Sequence, residues 1–96
     1  MYKRQRLDLE LIDRLAAAVP VPLVLHGSSG VSDRDLRRAV AAGMTKVNVG
    51  TILNVAFTGA VREGLTDESV IDPRRYLAPA REAIAGTAEG ILRALA

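Results

Sequence analysis

The 96-residue sequence predicts an α/β fold in which short parallel strands alternate with helices. Two short runs, 23–25 and 44–49, have strand character, and stretches with helical apolar spacing precede and follow each of them. Strands separated by helices pair in parallel, because the helix carries the chain back across the sheet. Two such strands leave both sheet edges unpaired. The sequence therefore predicts a slice of a larger α/β structure.

Composition excludes several classes of protein. Apolar residues make up 49% and charged residues 25% of the chain, which is typical of a globular protein. The absence of cysteine excludes disulfides and thiolate metal sites. The 13 basic and 11 acidic residues are interleaved, so we expect no nucleic-acid partner. With no apolar run of membrane-spanning length and no signal-peptide pattern, we expect a cytoplasmic protein without a membrane partner.

Residues 1–6 are polar and unpatterned, and we interpret them as a non-native or disordered leader. Helical spacing then runs from Asp8, a plausible N-cap, to about Ala18. Pro20 and Pro22 end this helix and lead into the first strand, which we expect to be a buried parallel strand.

A second helix is predicted to begin after Ser32, an N-cap residue, and to end at Gly43. The second strand, 44–49, follows, and a third helix begins at Gly50-Thr51. A polar loop over 66–71 separates this helix from the remaining helical segments.

The last third of the chain is predicted to contain a short helix and a longer one. Asp72 is a candidate N-cap, with Pro73 at the first helical position. Pro79 is expected to interrupt that helix and to open the final one, because a proline has no amide hydrogen to donate.

Both strands lead into small, polar loops, and these loops are candidates for phosphate binding. The first loop is residues 26–30, HGSSG, and the second loop is residues 48–51, NVGT. If the strands are adjacent and parallel, both loops open at the same edge, where backbone N–H groups with the Ser29 and Thr51 hydroxyls could surround one phosphate. His26, at the tip of the first strand, could bind a metal. From the residues alone, a structural histidine and ordinary helix caps remain open alternatives.

Segments 21–30 and 46–51 resemble the C-terminal part of the class II, zinc-dependent ketose-bisphosphate aldolases, which include fructose- and tagatose-bisphosphate aldolases. The similarity continues through residues 56–58, 61–63, 72–77 and 80–83. The resemblance implies that residues 7–96 form the C-terminal portion of a (β/α)8 TIM barrel, namely its last two parallel strands with their helices and the C-terminal helices.

The same resemblance implies roles for individual residues. His26 matches a zinc ligand. The matched phosphate- and substrate-binding positions are Gly27, Ser28, Ser29, Asn48, Val49, Gly50, Thr51 and Arg74. Arg74 matches an arginine that reaches the distal phosphate, in some relatives from a neighbouring subunit. Two positions depart from the family: Ser28 stands where glycine or alanine is usual, and Gly50 where relatives have asparagine, alanine or aspartate.

The activity implied is the aldol cleavage or condensation of a fructose or tagatose bisphosphate, with dihydroxyacetone phosphate and glyceraldehyde 3-phosphate as products. Zinc would polarise the carbonyl of dihydroxyacetone phosphate, and the first loop would also face a monovalent cation. The proton-transfer aspartate and two further zinc histidines are expected upstream, so no catalytic residue is assigned here. We therefore expect a homo-oligomeric, full-length enzyme and an inactive isolated chain.

Two other interpretations remain at this stage. One is a different phosphate-binding (β/α)8 enzyme, such as an isomerase or synthase, with His26 as an acid–base group. The other is a non-catalytic α/β fragment or assembly module that keeps family residues.

Overall fold

The computed structural model describes residues 6–96, so the predicted leader falls almost wholly outside the described residues. Within 6–96 the elements are α1 (Leu9–Ala18), β1 (Leu23–Leu25), α2 (Asp33–Ala42), β2 (Met44–Val47), α3 (Thr51–Gly64) and α4 (Arg74–Leu95), with a short 3-10 turn at Ser28–Gly30. None of these helices combines the length and the apolar character that crossing a bilayer requires.

The two strands pair in parallel, as predicted. Leu23 lies opposite Met44 and Leu25 opposite Val47, with an irregularity in register after Leu23. The second strand is shorter than predicted, since β2 ends at Val47 rather than Val49. The ladder nevertheless continues one step further, because the Asn48 N–H donates to the Leu25 carbonyl at 2.9 Å.

The prediction that the first strand is buried is wrong for this chain. Val24 is 39% exposed, and Leu23 and Leu25 are only half-buried. A parallel strand becomes fully buried only when strands flank both of its edges and helices cover both faces. In the described part of the chain, β1 pairs only with β2.

Side-chain caps begin the first two long helices where the sequence predicts them. The Asp8 carboxylate accepts a hydrogen bond from the Leu11 N–H at 3.0 Å, and the Ser32 hydroxyl accepts one from the Asp35 N–H at 3.2 Å. Each cap satisfies an amide that has no partner within its helix. The position of α2 matters most for the site, because α2 begins directly after the first loop.

The last helix begins as predicted but is not interrupted. The Asp72 carboxylate accepts from the Arg74 N–H at 3.0 Å, and Pro73 already has helical dihedrals, φ −55° and ψ −28°. The predicted break at Pro79 is wrong, since α4 runs unbroken through it. Pro79 is the sixth residue of the helix, so the missing bond would reach only the first turn. The next residue, Ala80, is fully buried, so α4 is packed against the rest of the chain at this point.

The core of the described chain is small and the chain is elongated. Its buried apolar residues are Ile12, Val31, Leu36, Ala39, Ala80 and Ala94. No residue of α3 is buried, and Leu92 of α4 is 67% exposed. The radius of gyration is 17.0 Å, against about 12.5 Å for a compact domain of this length. These features agree with the prediction of a slice of a larger fold.

We predict that acid frays the first turn of α4. Hydrogen bonds from the Arg74 side chain, and then from the Arg74 N–H, lower the pKa of Asp72 below its ordinary value of 3.8. A carboxylate whose pKa is lowered by folding stabilises the folded helix start at pH values above its pKa in the unfolded chain. This stabilisation is lost as the pH falls through the pKa of the folded state. A ¹³C NMR titration should therefore place the Asp72 midpoint below 3.8, with the Arg74 and Arg75 amide signals moving in step. An Asp72→Asn variant should lose this movement, and an Asp72 midpoint at or above 3.8 would contradict the prediction.

Candidate functional site

The first and second loops meet at the edge of the sheet where both strands end. The Ser28 hydroxyl donates a hydrogen bond of 2.6 Å to the Asn48 carbonyl, which links the two loops directly. Ser28 is only 3% exposed, so this bond is shielded from competing water. The meeting of the two loops, expected from parallel pairing, is therefore observed.

A second contact between the loops involves the only histidine of the chain. The Asn48 Nδ2 lies 3.0 Å from the His26 Nδ1. An amide nitrogen can only donate, so in this arrangement Nδ1 is the acceptor and the proton of the neutral ring is on Nε2. His26 is exposed at the tip of β1. The contact with Asn48 therefore restrains a solvent-exposed imidazole.

Gly27 shapes the first loop through its backbone. It has φ +66° and ψ +37°, the left-handed conformation, and turns the chain from β1 into the 3-10 turn that follows. A Cβ at this position would meet no atom within 4 Å, so the backbone conformation rather than crowding favours glycine here. The turn is closed by the Val31 N–H, which donates to the Ser28 carbonyl at 3.0 Å. Ser29, a predicted site residue, lies within this turn.

The second loop connects β2 to α3 without a side-chain cap. Gly50 is exposed, and a Cβ built on it would meet no atom within 4 Å, so a ligand could approach its backbone closely. Its carbonyl accepts from the Leu53 and Asn54 N–H groups at 3.0 and 3.2 Å. The helix that begins at Thr51 places its positive dipole end at the same edge as His26. Val49 is half-buried beside it.

Arg74 is the one predicted site residue that lies apart from the loops. Its helix starts near the C-terminal end of α3, because Gly64 packs against Tyr76. The 14 residues of α3 separate that end from Thr51 by about 20 Å. Within this chain, Arg74 therefore cannot join the first and second loops.

Arg74 has a partner that the sequence analysis did not assign. Its guanidinium Nη2 lies 2.7 Å from the Asp72 carboxylate, and the Arg74 side chain is 89% exposed. An acidic and a basic residue on either side of Pro73 are the sequence signal for this ion pair. The hydrogen bond to Asp72 raises the pKa of Arg74.

The donor set of the described residues allows one ligand of a shared metal site. No three His, Cys, Asp or Glu side chains in residues 6–96 are grouped so that they could hold a metal ion. The exposed imidazole of His26 suits zinc, which binds neutral histidine nitrogen among its three or four protein ligands. Zinc needs a ring nitrogen with a free lone pair, so His26 fits zinc as a single ligand once the Asn48 amide is turned and its oxygen faces Nδ1–H. A complete site needs ligands from outside these residues.

Comparison with known proteins identifies the family. The model of the class II fructose-bisphosphate aldolases matches residues 1–96. Fructose-bisphosphate aldolases from two strains of Staphylococcus epidermidis are each 43% identical over 94 residues, covering 96% of this chain and 33% of the relative. The crystal structure of the YdjI aldolase from Escherichia coli K12 superposes with a TM-score of 0.82 and 34% identity, covering 94% of this chain and 34% of that one. The chain thus spans about a third of these relatives, and it belongs to the class II fructose-bisphosphate aldolase family.

Proposed function

We propose that this chain forms the C-terminal third of a class II ketose-bisphosphate aldolase, with residues 7–96 contributing the last two strands of a (β/α)8 barrel. The whole enzyme would cleave a ketose 1,6-bisphosphate into dihydroxyacetone phosphate and glyceraldehyde 3-phosphate, and catalyse the reverse condensation. The observation that carries this proposal is the hydrogen-bonded junction of two strand-end loops in a chain that matches the family throughout.

The two loops are proposed to hold the phosphate of dihydroxyacetone phosphate. Gly27, Ser28 and Ser29 would contribute from the first loop, and Asn48, Val49, Gly50 and Thr51 from the second. The left-handed Gly27 and the open Gly50 leave backbone amides accessible to an anion. The N-terminal end of α3 adds a positive partial charge at the same edge. We also propose a monovalent cation beside the first loop.

His26 is proposed to be one of three zinc-binding histidines in the whole enzyme. When bound, zinc supplies an electrophile that polarises the substrate carbonyl. Asn48 would hold the His26 ring in place with its amide turned, so that the amide oxygen accepts from Nδ1–H and Nε2 is left unprotonated for zinc. The buried bond from Ser28 fixes the Asn48 backbone in turn. The proton-transfer aspartate would come from outside this chain.

Arg74 is proposed to bind the distal phosphate of a neighbouring subunit's substrate in a homo-oligomer. This form of the proposal agrees with its distance from the loops of its own chain. The Asp72 carboxylate holds the guanidinium at the start of α4, which limits its rotamers while leaving it exposed. Because Gly50 departs from the residues of its relatives, fructose and tagatose bisphosphate are both candidate substrates, and an assay with each decides between them. We also propose that the enzyme is cytoplasmic.

A chimeric enzyme tests the proposal. The matched third of the Staphylococcus epidermidis aldolase is replaced by residues 7–96, and cleavage is followed by a coupled assay of triose phosphate release, with fructose and tagatose bisphosphates as alternative substrates. We expect zinc-dependent cleavage by the chimera and none by the 96-residue chain alone, because the chain has one metal-ligating histidine. A folded, zinc-loaded chimera without activity would favour a non-catalytic role, and cleavage by the isolated chain would contradict our assignment of the missing residues.

A further inference from the structure

A cleft of about 550 Å³ lies beside the start of α2, outside the first and second loops. Its lining residues are Arg6, Leu7, Leu9, Ser32, Arg34, Asp35 and Arg38. It therefore lies between the segment that enters α1 and the first turns of α2. The size is typical of sites that hold a small organic molecule, about 300–1,000 Å³, and exceeds what a single ion needs.

The cleft has an unbalanced positive charge. Three arginine side chains line it against the single carboxylate of Asp35. Among the described residues, none of these three arginines forms an ion pair within 4.0 Å. Arg34 and Arg38 are four residues apart on one helix face, where like charges repel each other. An anion bound between them would remove this repulsion.

Other nearby charges do not cancel this excess. The carboxylates of Asp8 and Asp33 belong to residues adjacent to the cleft but do not line it, and Asp8 is engaged in capping α1. The N-terminal end of α2 adds a positive partial charge on the same side as the arginines. One arginine guanidinium can donate two parallel hydrogen bonds to two oxygens of a phosphate, which a lysine ammonium cannot do.

We propose that this cleft binds a phosphate ester, as a second anion site beside the candidate phosphate site of the two loops. Ser32 follows Gly30 by two residues, so the end of the first loop and the first lining residue of α2's start are at most about 7 Å apart. The ester could be a separate phosphorylated metabolite or the second phosphate of the sugar held by the loops, which the cleft would then share with Arg74 of a neighbouring subunit. Only the latter source rests on the proposed function.

The direct test is a titration of the 96-residue chain with inorganic phosphate, followed by amide and arginine Nε–H NMR signals. We expect signals of residues 32–35 and of the Arg34 side chain to shift, with a dissociation constant that rises as salt is added. The Arg34→Gln/Arg38→Gln double variant should bind at least tenfold more weakly. The matched control is Arg37→Gln, on the same helix but outside the cleft, and it should stay within twofold.

A titration with fructose 1,6-bisphosphate distinguishes a separate phosphorylated metabolite from the second phosphate of the sugar held by the loops. One bisphosphate spanning both sites shifts residues 26–30 and 32–35 together, with one dissociation constant that the double variant weakens. Two separate sites instead give different dissociation constants for 26–30 and for 32–35, and the double variant weakens only the second. Equal binding by the double variant and the Arg37→Gln control, or no shift at 32–35 in a chain with a helical circular dichroism spectrum, overturns the proposal. The chimera assay measures the aldolase function separately, so the two failures are distinguishable.

Discussion

A His26→Ala substitution in the chimeric aldolase should lower kcat/KM by more than about 100-fold and reduce bound zinc. Loss of a group that merely supports a metal ligand costs about 10–100-fold, and loss of the ligand itself should cost more. His26 is the only histidine in these 96 residues, so no nearby imidazole of this chain can replace it. Zinc content by mass spectrometry and kcat/KM by the coupled assay are measured on the same samples.

The matched control is Thr58→Ala, an exposed polar position on α3 that belongs to neither loop. This control should retain full zinc and activity. Asn48→Ala serves as the intermediate case, because it keeps the imidazole but removes its hydrogen-bond partner at 3.0 Å. We expect weaker zinc binding in Asn48→Ala than in the control, yet stronger than in His26→Ala. Unchanged zinc content in His26→Ala would show that this histidine does not bind the metal.

The features that the sequence predicted correctly depend on neighbouring residues. Asp8 and Ser32 act as caps because their side chains reach amides only three residues ahead, so the local sequence is sufficient. Parallel pairing follows from a helix lying between the strands, which the apolar spacing reveals. The meeting of the two loops then follows from the pairing.

The features that the sequence did not predict depend on distant contacts. Pro79 would break an isolated helix. In α4 it removes only one backbone hydrogen bond near the helix start, and the helix continues because it packs against the rest of the chain. An apolar run such as Leu23–Leu25 predicts burial only if the remainder of a sheet is present. The contact between Asn48 and His26 joins residues 22 positions apart, and no local pattern encodes it.

Gly43→Ala should destabilise the packing of α2 on α1 by several kcal/mol. Gly43 ends α2 with φ +133°, a backbone conformation that residues with a Cβ rarely adopt; such strain costs about 1–3 kcal/mol. A Cβ built there would lie 2.5 Å from the Cβ of Ala16 in α1, and overpacking of this kind costs about 1–3 kcal/mol more. Ala39, one turn earlier in α2, is fully buried, so the helix has little room to shift.

The same substitution at Gly86 provides the control, because it changes only the local helix. Gly86 lies inside α4, and a Cβ there would meet no atom within 4 Å. Alanine is favoured over glycine in a helix interior by about 0.5–1 kcal/mol, so Gly86→Ala should stabilise the chain. Urea unfolding followed by circular dichroism should therefore move the two midpoints in opposite directions. If both variants unfold at the same urea concentration, the close approach of Gly43 to Ala16 does not constrain the packing of α2 on α1.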